Sequence, residues 1–494
     1  MKIRQYHVSL APDIILNRPE LLANIREAGV SRVWICTFFY GHWPYELEML
    51  TRAKTVVEKL GMKTGAILIP LGHPGDSLGS SQGGFPLSPP RNWKLGTGSD
   101  GKTYSGTSLH APAIEENVAA IKVIRKLGFD LMFVDDVFRL SPSPGRIGGC
   151  FCDEHRARFL SATGGTDADW QQLLQDVSSR RDTSLLRKWA VFTCDDLTTA
   201  FRAMRKAGPH LGNMVMYLGS EKAGIRLADY AGAPLRVGEL MFDNNSFGRV
   251  KGKTDELFSA LFHRRYVKPD HAYSETTAYP SSSLSAQNMC AKLSVSTITD
   301  VRNTMFMSGL TPFPLEHWRT LAPAMKKQAQ LHEQVAGHKP EGPFKHYWGE
   351  PSRYVGNDQP YSLFLACGVP FEVSSRINRD GWTFLSDADT ASEPHLNDHC
   401  IARPNAAKRG NVTVNEDLDD LFAFRRTLIG KPDGIPIGTP YIVEETPAVL
   451  AWYPGANCCL VWNVNTEAKN LTVAVGDRRI PVSVASLDTE LVKL

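Results

Sequence analysis

Up to about residue 337, short apolar runs alternate with stretches whose apolar residues recur every three to four positions. Runs of four to eight apolar residues read as buried strands, and the longer spacing reads as one face of a helix. Strands are predicted at residues 6–10, 32–38, 63–69, 131–135, 213–218, 236–242, 271–276 and 303–307. One intervening helix shows the period clearly. Ile114, Val118, Ile121, Ile124 and Leu127 fall on a single stripe, Glu115, Glu116, Lys122 and Arg125 face away, and Gly128 ends the run. Further crossover helices are predicted at 20–28, 44–60, 255–266 and 285–297. Such alternation makes a parallel sheet with helices on its faces. Eight units in this length fit the α/β class, as a (β/α)₈ TIM barrel. An open doubly wound sheet would carry a Gly-rich turn after its first strand; Ser9-Leu10-Ala11-Pro12-Asp13 stands there instead.

A helix at 315–336 closes this first unit, so the barrel domain is expected to span residues 1–337. The Pro/Gly-rich segment 338–356 reads as a linker. It opens a small α/β domain over 338–435, with a helix at 360–367 and strands near 371–374 and 382–385. From residue 439 the pattern is all strand, at 441–443, 449–453, 458–464, 471–475 and 482–487, which predicts a β-sandwich over 436–494. Two long insertions, 72–113 and 139–207, follow the third and fourth barrel strands; the second holds a polar helix around 170–184. Long loops after barrel strands build sites and lids.

Composition narrows the function classes. The 494 residues are 42% hydrophobic and 22% charged, with a net charge of +3. Basic residues are scattered, so no nucleic-acid partner is expected. No run of apolar residues is long enough for a membrane span, and the amino terminus lacks a signal-peptide core. Nine cysteines, odd in number, read as reduced thiols, and a cytoplasmic protein is expected. Walker, HExxH and G-x-S-x-G motifs are absent, which argues against an ATPase, a zinc protease and a serine hydrolase.

Barrel enzymes draw their reacting groups from the carboxyl ends of strands. The fourth strand ends Phe133-Val134-Asp135-Asp136-Val137-Phe138-Arg139. Two adjacent carboxylates and an arginine after a buried strand are costly without a purpose; the plainer alternative is an Asp that caps the loop or pairs with Arg139. The seventh strand ends Tyr273-Ser274-Glu275-Thr276-Thr277, the sixth offers Glu239 and Asp243, and the fifth ends near Glu221. Cleaving a glycosidic bond takes one carboxylic acid to protonate the leaving oxygen and one carboxylate to attack or to activate water. Asp136 and Glu275 are the natural pair, with Asp135 and Arg139 fixing the acid. Tyr40, His42 and Trp43, after the second strand, supply rings suited to sugar faces; rim packing is the alternative. Arg139, Glu239, Asp243 and Tyr273 complete the expected substrate contacts. In Cys150-Phe151-Cys152-Asp153-Glu154-His155 the two thiols and the imidazole offer three zinc ligands, or else a pair of buried loop thiols.

The run 134–155, with its Asp-Asp pair, Pro/Gly loop and Gly-Cys-x-Cys, resembles the barrel β-galactosidases of glycoside hydrolase family forty-two and their clan A relatives, as does Glu275. The resemblance implies a barrel, a small α/β domain of glutamine-amidotransferase type that mediates trimers, and a short β-sandwich. It implies Glu275 as nucleophile and, by position, Asp136 as acid, although Asp135-Asp136 stands where the clan has Asn-Glu. The family's zinc is held by four cysteines; Cys150 and Cys152 match, His155 replaces a third, and the fourth is not evident. A glycoside hydrolase acting on a terminal sugar is therefore expected, with a carbohydrate substrate, no cofactor required for catalysis, and a structural zinc. Two alternatives stand beside it. One is a carbohydrate-binding barrel without catalysis; the other is a metal-dependent hydrolase using Asp135, Asp136, His42 and His110.

Overall fold

The computed structural model describes residues 3–71, 89–135, 138–141, 145–215, 217–238, 240–309, 311–407 and 411–494. Eight parallel strands close into a barrel in chain order: β1 Gln5–Leu10, β2 Arg32–Phe39, β3 Lys63–Ile69, β4 Leu131–Val134, β5 His210–Met214, β6 Leu235–Val237, β7 Ala272–Thr277 and β8 Asn303–Met307, with β8 returning to β1. Each predicted strand has its counterpart. The fifth begins three residues earlier than its apolar pattern suggested, and the sixth stops at Val237.

Alternation along each strand fills the barrel in layers. Trp34, Ile67, Phe133, Tyr273 and Met305 form one interior cluster. The Trp34 indole donates to His7 Nδ1 at 3.1 Å. Rings this large leave no room for a side chain at the paired position of the neighbouring strand. A Cβ at Gly65 would lie 2.5 Å from the Trp34 ring, and one at Gly212 would lie 2.4 Å from that of Phe133. Tyr273 belongs to this plug, with its ring centroid 4.9 Å from Phe133. Expected from the sequence as a substrate contact, Tyr273 lies in this interior layer. It points into the barrel one layer below the mouth, because a strand turns every second side chain inward.

The insertion after β4 holds two helices, Asp153–Thr163 and Asp167–Ser179, and then Ser184–Ala207, which crosses back to β5. Phe159, Trp170 and Trp189 give this insertion its own apolar core.

The segment 338–356 is not a linker. It contains the strand Phe344–Tyr347, the second member of a five-stranded parallel sheet ordered Phe371–Ser374, Phe344–Tyr347, Trp382–Leu385, Cys400–Ala402 and Val412–Thr413. The helix expected at 360–367 is one short 3₁₀ turn, Leu363–Ala366. In such doubly wound sheets, ligands sit beyond the carboxyl ends of the strands where the order reverses. Here that crevice holds Asp389, whose carboxylate accepts from the Gly349 and Ser352 amides at 3.1 and 3.2 Å and from the Ser352 hydroxyl at 2.7 Å. Ion pairs of Glu221 with Arg353 and Lys222 with Asp358 clamp the region after β5 to this sheet. The chain ends in two three-stranded antiparallel sheets. They comprise Tyr441–Ile442, Lys469–Val475 and Arg478–Val484, and Ala448–Tyr453, Cys458–Asn463 and Thr489–Lys493. Among the described residues no helix is long and apolar enough to cross a membrane.

Candidate active site and metal centre

One pleat beyond the aromatic plug, towards the carboxyl ends of the strands, the barrel interior turns from apolar to charged. Asp135 follows β4, Arg236 lies on β6 and Glu275 on β7. The Arg236 guanidinium bonds both carboxylates, through Nη1 to Asp135 and through Nη2 to Glu275 at 3.0 Å. Nη2 also lies 3.3 Å from Met307 Sδ on β8. Arg236 is fully buried, Asp135 is 1% exposed and Glu275 4%. Three charges in so dry a place are tolerable only because they pair, and the planar fork of an arginine suits two carboxylates at once. Asp135 is further anchored by its amide, which donates to Leu68 O at 2.8 Å. Arg236 was not expected from the sequence. Its signal was a lone arginine between Leu235 and Val237 in a strand buried on both faces.

The strand-end prediction thus places Asp135 and Glu275 in one cluster. Asp136 and Glu239 lie outside the described residues. Asp243, expected among the substrate contacts, lies just before a short helix. Its carboxylate caps the short helix Asn244–Phe247, accepting from the Asn245 and Ser246 amides at 2.8 Å each. A free backbone N–H pair at a helix start is the usual demand that an Asp meets. Arg139 is buried and donates from Nε to Ser141 O at 3.2 Å.

After β2 the chain reverses through a tight turn in which Phe39 and His42 exchange backbone bonds of 2.9 and 2.8 Å. Both central residues have positive φ, Tyr40 at 26° and Gly41 at 93°. That conformation is costly for a tyrosine, and it recurs after β5 at Tyr217, with φ 45°. Strained backbone gathers where geometry serves a site. Trp43 leans on Phe38, ring centroids 5.1 Å apart, and stays 37% exposed, whereas Tyr40 is buried.

The thiols at 150–152 belong to a four-membered cluster. Ligand atoms of His110, Cys150, Cys152 and His155 all lie within 4.8 Å of one another. Cys152 Sγ is 3.3 Å from His110 Nε2 and 3.2 Å from His155 Nδ1. Each imidazole turns its other nitrogen to a carboxylate, His110 Nδ1 to Glu154 at 3.0 Å and His155 Nε2 towards Asp196 at 3.7 Å. Two thiols and two imidazoles are the donor set of a tetrahedral zinc site, and an outer carboxylate is what fixes a metal-binding histidine. His110 comes from the insertion after β3 and the other three from the insertion after β4, so a bound ion would tie the two loops together. Sequence spacing could not find His110 as the fourth ligand, because only the barrel brings residue 110 beside residue 150.

No protein-family model and no curated protein matches the sequence. Among solved structures, Gan42B, a GH42 β-galactosidase from G. stearothermophilus, and a catalytic mutant of it each superpose with TM-score 0.61 at 10% identity, covering 99% of this chain and 98% of theirs. The likeness is one of fold along the whole chain: barrel, small α/β sheet and terminal β-sheets. An α-L-fucosidase from Paenibacillus thiaminolyticus aligns over 80% of this chain and 61% of its own, with TM-score 0.46 and 12% identity.

Proposed function

We propose that this chain is a glycoside hydrolase that releases a terminal sugar, with Glu275 as nucleophile or base. The observation that carries the reading is the convergence of carboxylates from β4 and β7 on one guanidinium at the carboxyl end of the barrel. A neighbouring cation favours the ionised form of a carboxylate, the form that attacks or activates water. The same cation sits on Asp135, so Asp135 serves to position and Asp136 is the proposed proton donor. Tyr40, His42 and Trp43 offer a sugar its apolar contact at the rim. The whole-chain likeness to a β-galactosidase supports a β-galactoside or a related glycoside as substrate, and the resemblance read from the sequence implies an assembly of copies such as a trimer. The proposed zinc at His110, Cys150, Cys152 and His155 is structural, and catalysis requires no cofactor.

The test is a panel of aryl glycosides. The wild-type chain is expected to release chromophore from at least one, and Glu275→Gln to lose nearly all of that turnover while melting as the wild type does. Retention of most of the activity by the variant would overturn the assignment. A second reading, a sugar-binding barrel without catalysis, draws on the low exposure of Glu275 and its engagement by Arg236. It predicts thermal stabilisation by a sugar with no chromophore released from any glycoside.

A further inference from the structure

A crevice of about 380 Å³ lies where the end of the barrel helix Val250–His263 meets the strands Phe344–Tyr347 and Phe371–Ser374. Its wall includes Thr299, just before β8, and the turn preceding β7, so it lies at the amino-terminal side of the barrel, away from the mouth. Its size is in the range of small-molecule sites. The lining is rich in cations: Arg264, Arg265, Lys339, Lys345 and Arg376, with His338, against Glu341, Glu372 and Asp380.

The pairing among these groups is uneven. Lys345 engages Glu372 at 3.1 Å and Asp380 at 2.8 Å, which uses two of the three carboxylates. Arg264 is spent on the Thr299 and Asp300 carbonyls, at 2.9 and 3.1 Å, and on the Asp300 carboxylate at 3.8 Å. Arg265, Lys339 and Arg376 have no carboxylate at salt-bridge distance among the described residues. The Arg265 guanidinium donates to Ser374 O at 3.1 Å and lies against the rings of Phe262 and Tyr266. Burial disfavours its charge and draws its pKa down, with no carboxylate to oppose the shift. The Asn378 side chain also lines the crevice, and its buried Oδ1 has no hydrogen-bond partner. An unpaired buried amide oxygen is costly, whereas the same amide turned over presents N–H donors to the same space.

Arginines at a helix end complement its dipole, which accounts for Arg264 and in part for Arg265. It does not account for Arg376 and Lys339, which reach the crevice from other segments, or for Asn378. We propose that this crevice binds a small oxyanion, free phosphate or a phosphate ester, between Arg265 and Arg376, with Lys339 and the Asn378 amide completing the donors. Guanidinium groups match a phosphate's oxygens in charge and geometry. Because one wall is barrel and the other is the five-stranded sheet, the ligand bridges the two.

The full-length chain is titrated with inorganic phosphate by calorimetry in a phosphate-free buffer, and its melting is followed alongside. Saturable binding that weakens with added salt is expected, together with a rise in melting temperature. Arg376→Gln and Arg265→Gln should each weaken binding by about tenfold or more. Arg376 is exposed, so its variant probes the site without disturbing packing, and melting without phosphate checks that Arg265→Gln folds. A hexose phosphate that binds more tightly than inorganic phosphate identifies an esterified ligand; equal affinity identifies the free ion. Absence of saturable binding, or binding unchanged in both variants, overturns the proposal.

Discussion

Replacing Arg236 with methionine removes the cation that Asp135 and Glu275 share and keeps most of the side chain's bulk. Coulomb's law at an effective dielectric of about 20 makes the 3.0 Å contact to Glu275 worth about 5 kcal/mol before desolvation, with a similar contribution from Asp135. Most of that gain offsets the cost of burying the charges. Taking away one partner is different, because two carboxylates at 1% and 4% exposure then lose the cation they share. A broken buried pair costs about 3–5 kcal/mol, and Arg236 is paired with two carboxylates rather than one. The assay is urea unfolding followed by the intrinsic fluorescence of the buried tryptophans, Trp34, Trp189 and Trp318 among them. Arg236→Met should lose about 3–5 kcal/mol near neutral pH. The loss should shrink as the pH falls through the ordinary carboxylate range, since a proton then replaces the missing cation on one of the acids. Arg236→Lys should fall between, because an ammonium reaches one carboxylate but lacks the fork for two. A loss below about 1 kcal/mol, or one that does not change with pH, would refute the claim that this guanidinium holds the cluster together.

Further expectations follow from the same geometry. Zinc content measured by elemental analysis should be close to one per chain and fall sharply in Cys152→Ser and His110→Ala; Glu154→Gln should keep the ion but bind it about 10–100-fold more weakly in a chelator competition. Full zinc occupancy without His110 would show that it is not a ligand. Tyr273→Ala should cost about 3–5 kcal/mol, as expected for an aromatic removed from a packed core. Tyr273→Phe should leave the KM for any cleaved glycoside unchanged, and a large rise in KM would return Tyr273 to the substrate. Burial pushes Asp389 up to about 6 from an ordinary value of 3.8. The folded state therefore binds more protons than the unfolded one between those values, and this group's contribution to stability is lost as pH rises from about 4 to about 6. Asp389→Asn should remove that part of the slope in a pH series of unfolding curves, and an unchanged slope would contradict the assignment.

What the sequence disclosed follows from what each signal depends on. The barrel was legible because both faces of its strands are buried, which makes short apolar runs such as Ile35-Cys36-Thr37-Phe38 stand out between amphipathic helices. The strand Phe344–Tyr347 was not, because Phe-Lys-His-Tyr between Pro343 and Gly349 has no apolar run. Lys345 is buried there only by virtue of Glu372 and Asp380, which arrive from elsewhere. Asp135 and Glu275 could be located by asking which acids end barrel strands. Tyr273 and Asp243 were drawn in by the same rule and belong to the plug and to a helix cap, since proximity along the chain does not give a side chain's direction. Arg236 and the ligand role of His110 depend on closure of the barrel, which brings β4, β6 and β7 around one axis and one insertion beside another.

Glu275 is proposed to react with a sugar at the carboxyl end of the barrel. The most direct measurement is a crystal structure of the Glu275→Gln protein soaked with the glycoside that the wild type cleaves. A sugar is expected to sit over β4 and β7, its anomeric carbon about 3–3.5 Å from the side chain at position 275, the distance of a near-attack arrangement. A sugar bound elsewhere on the molecule, out of reach of the 275 side chain, would contradict it.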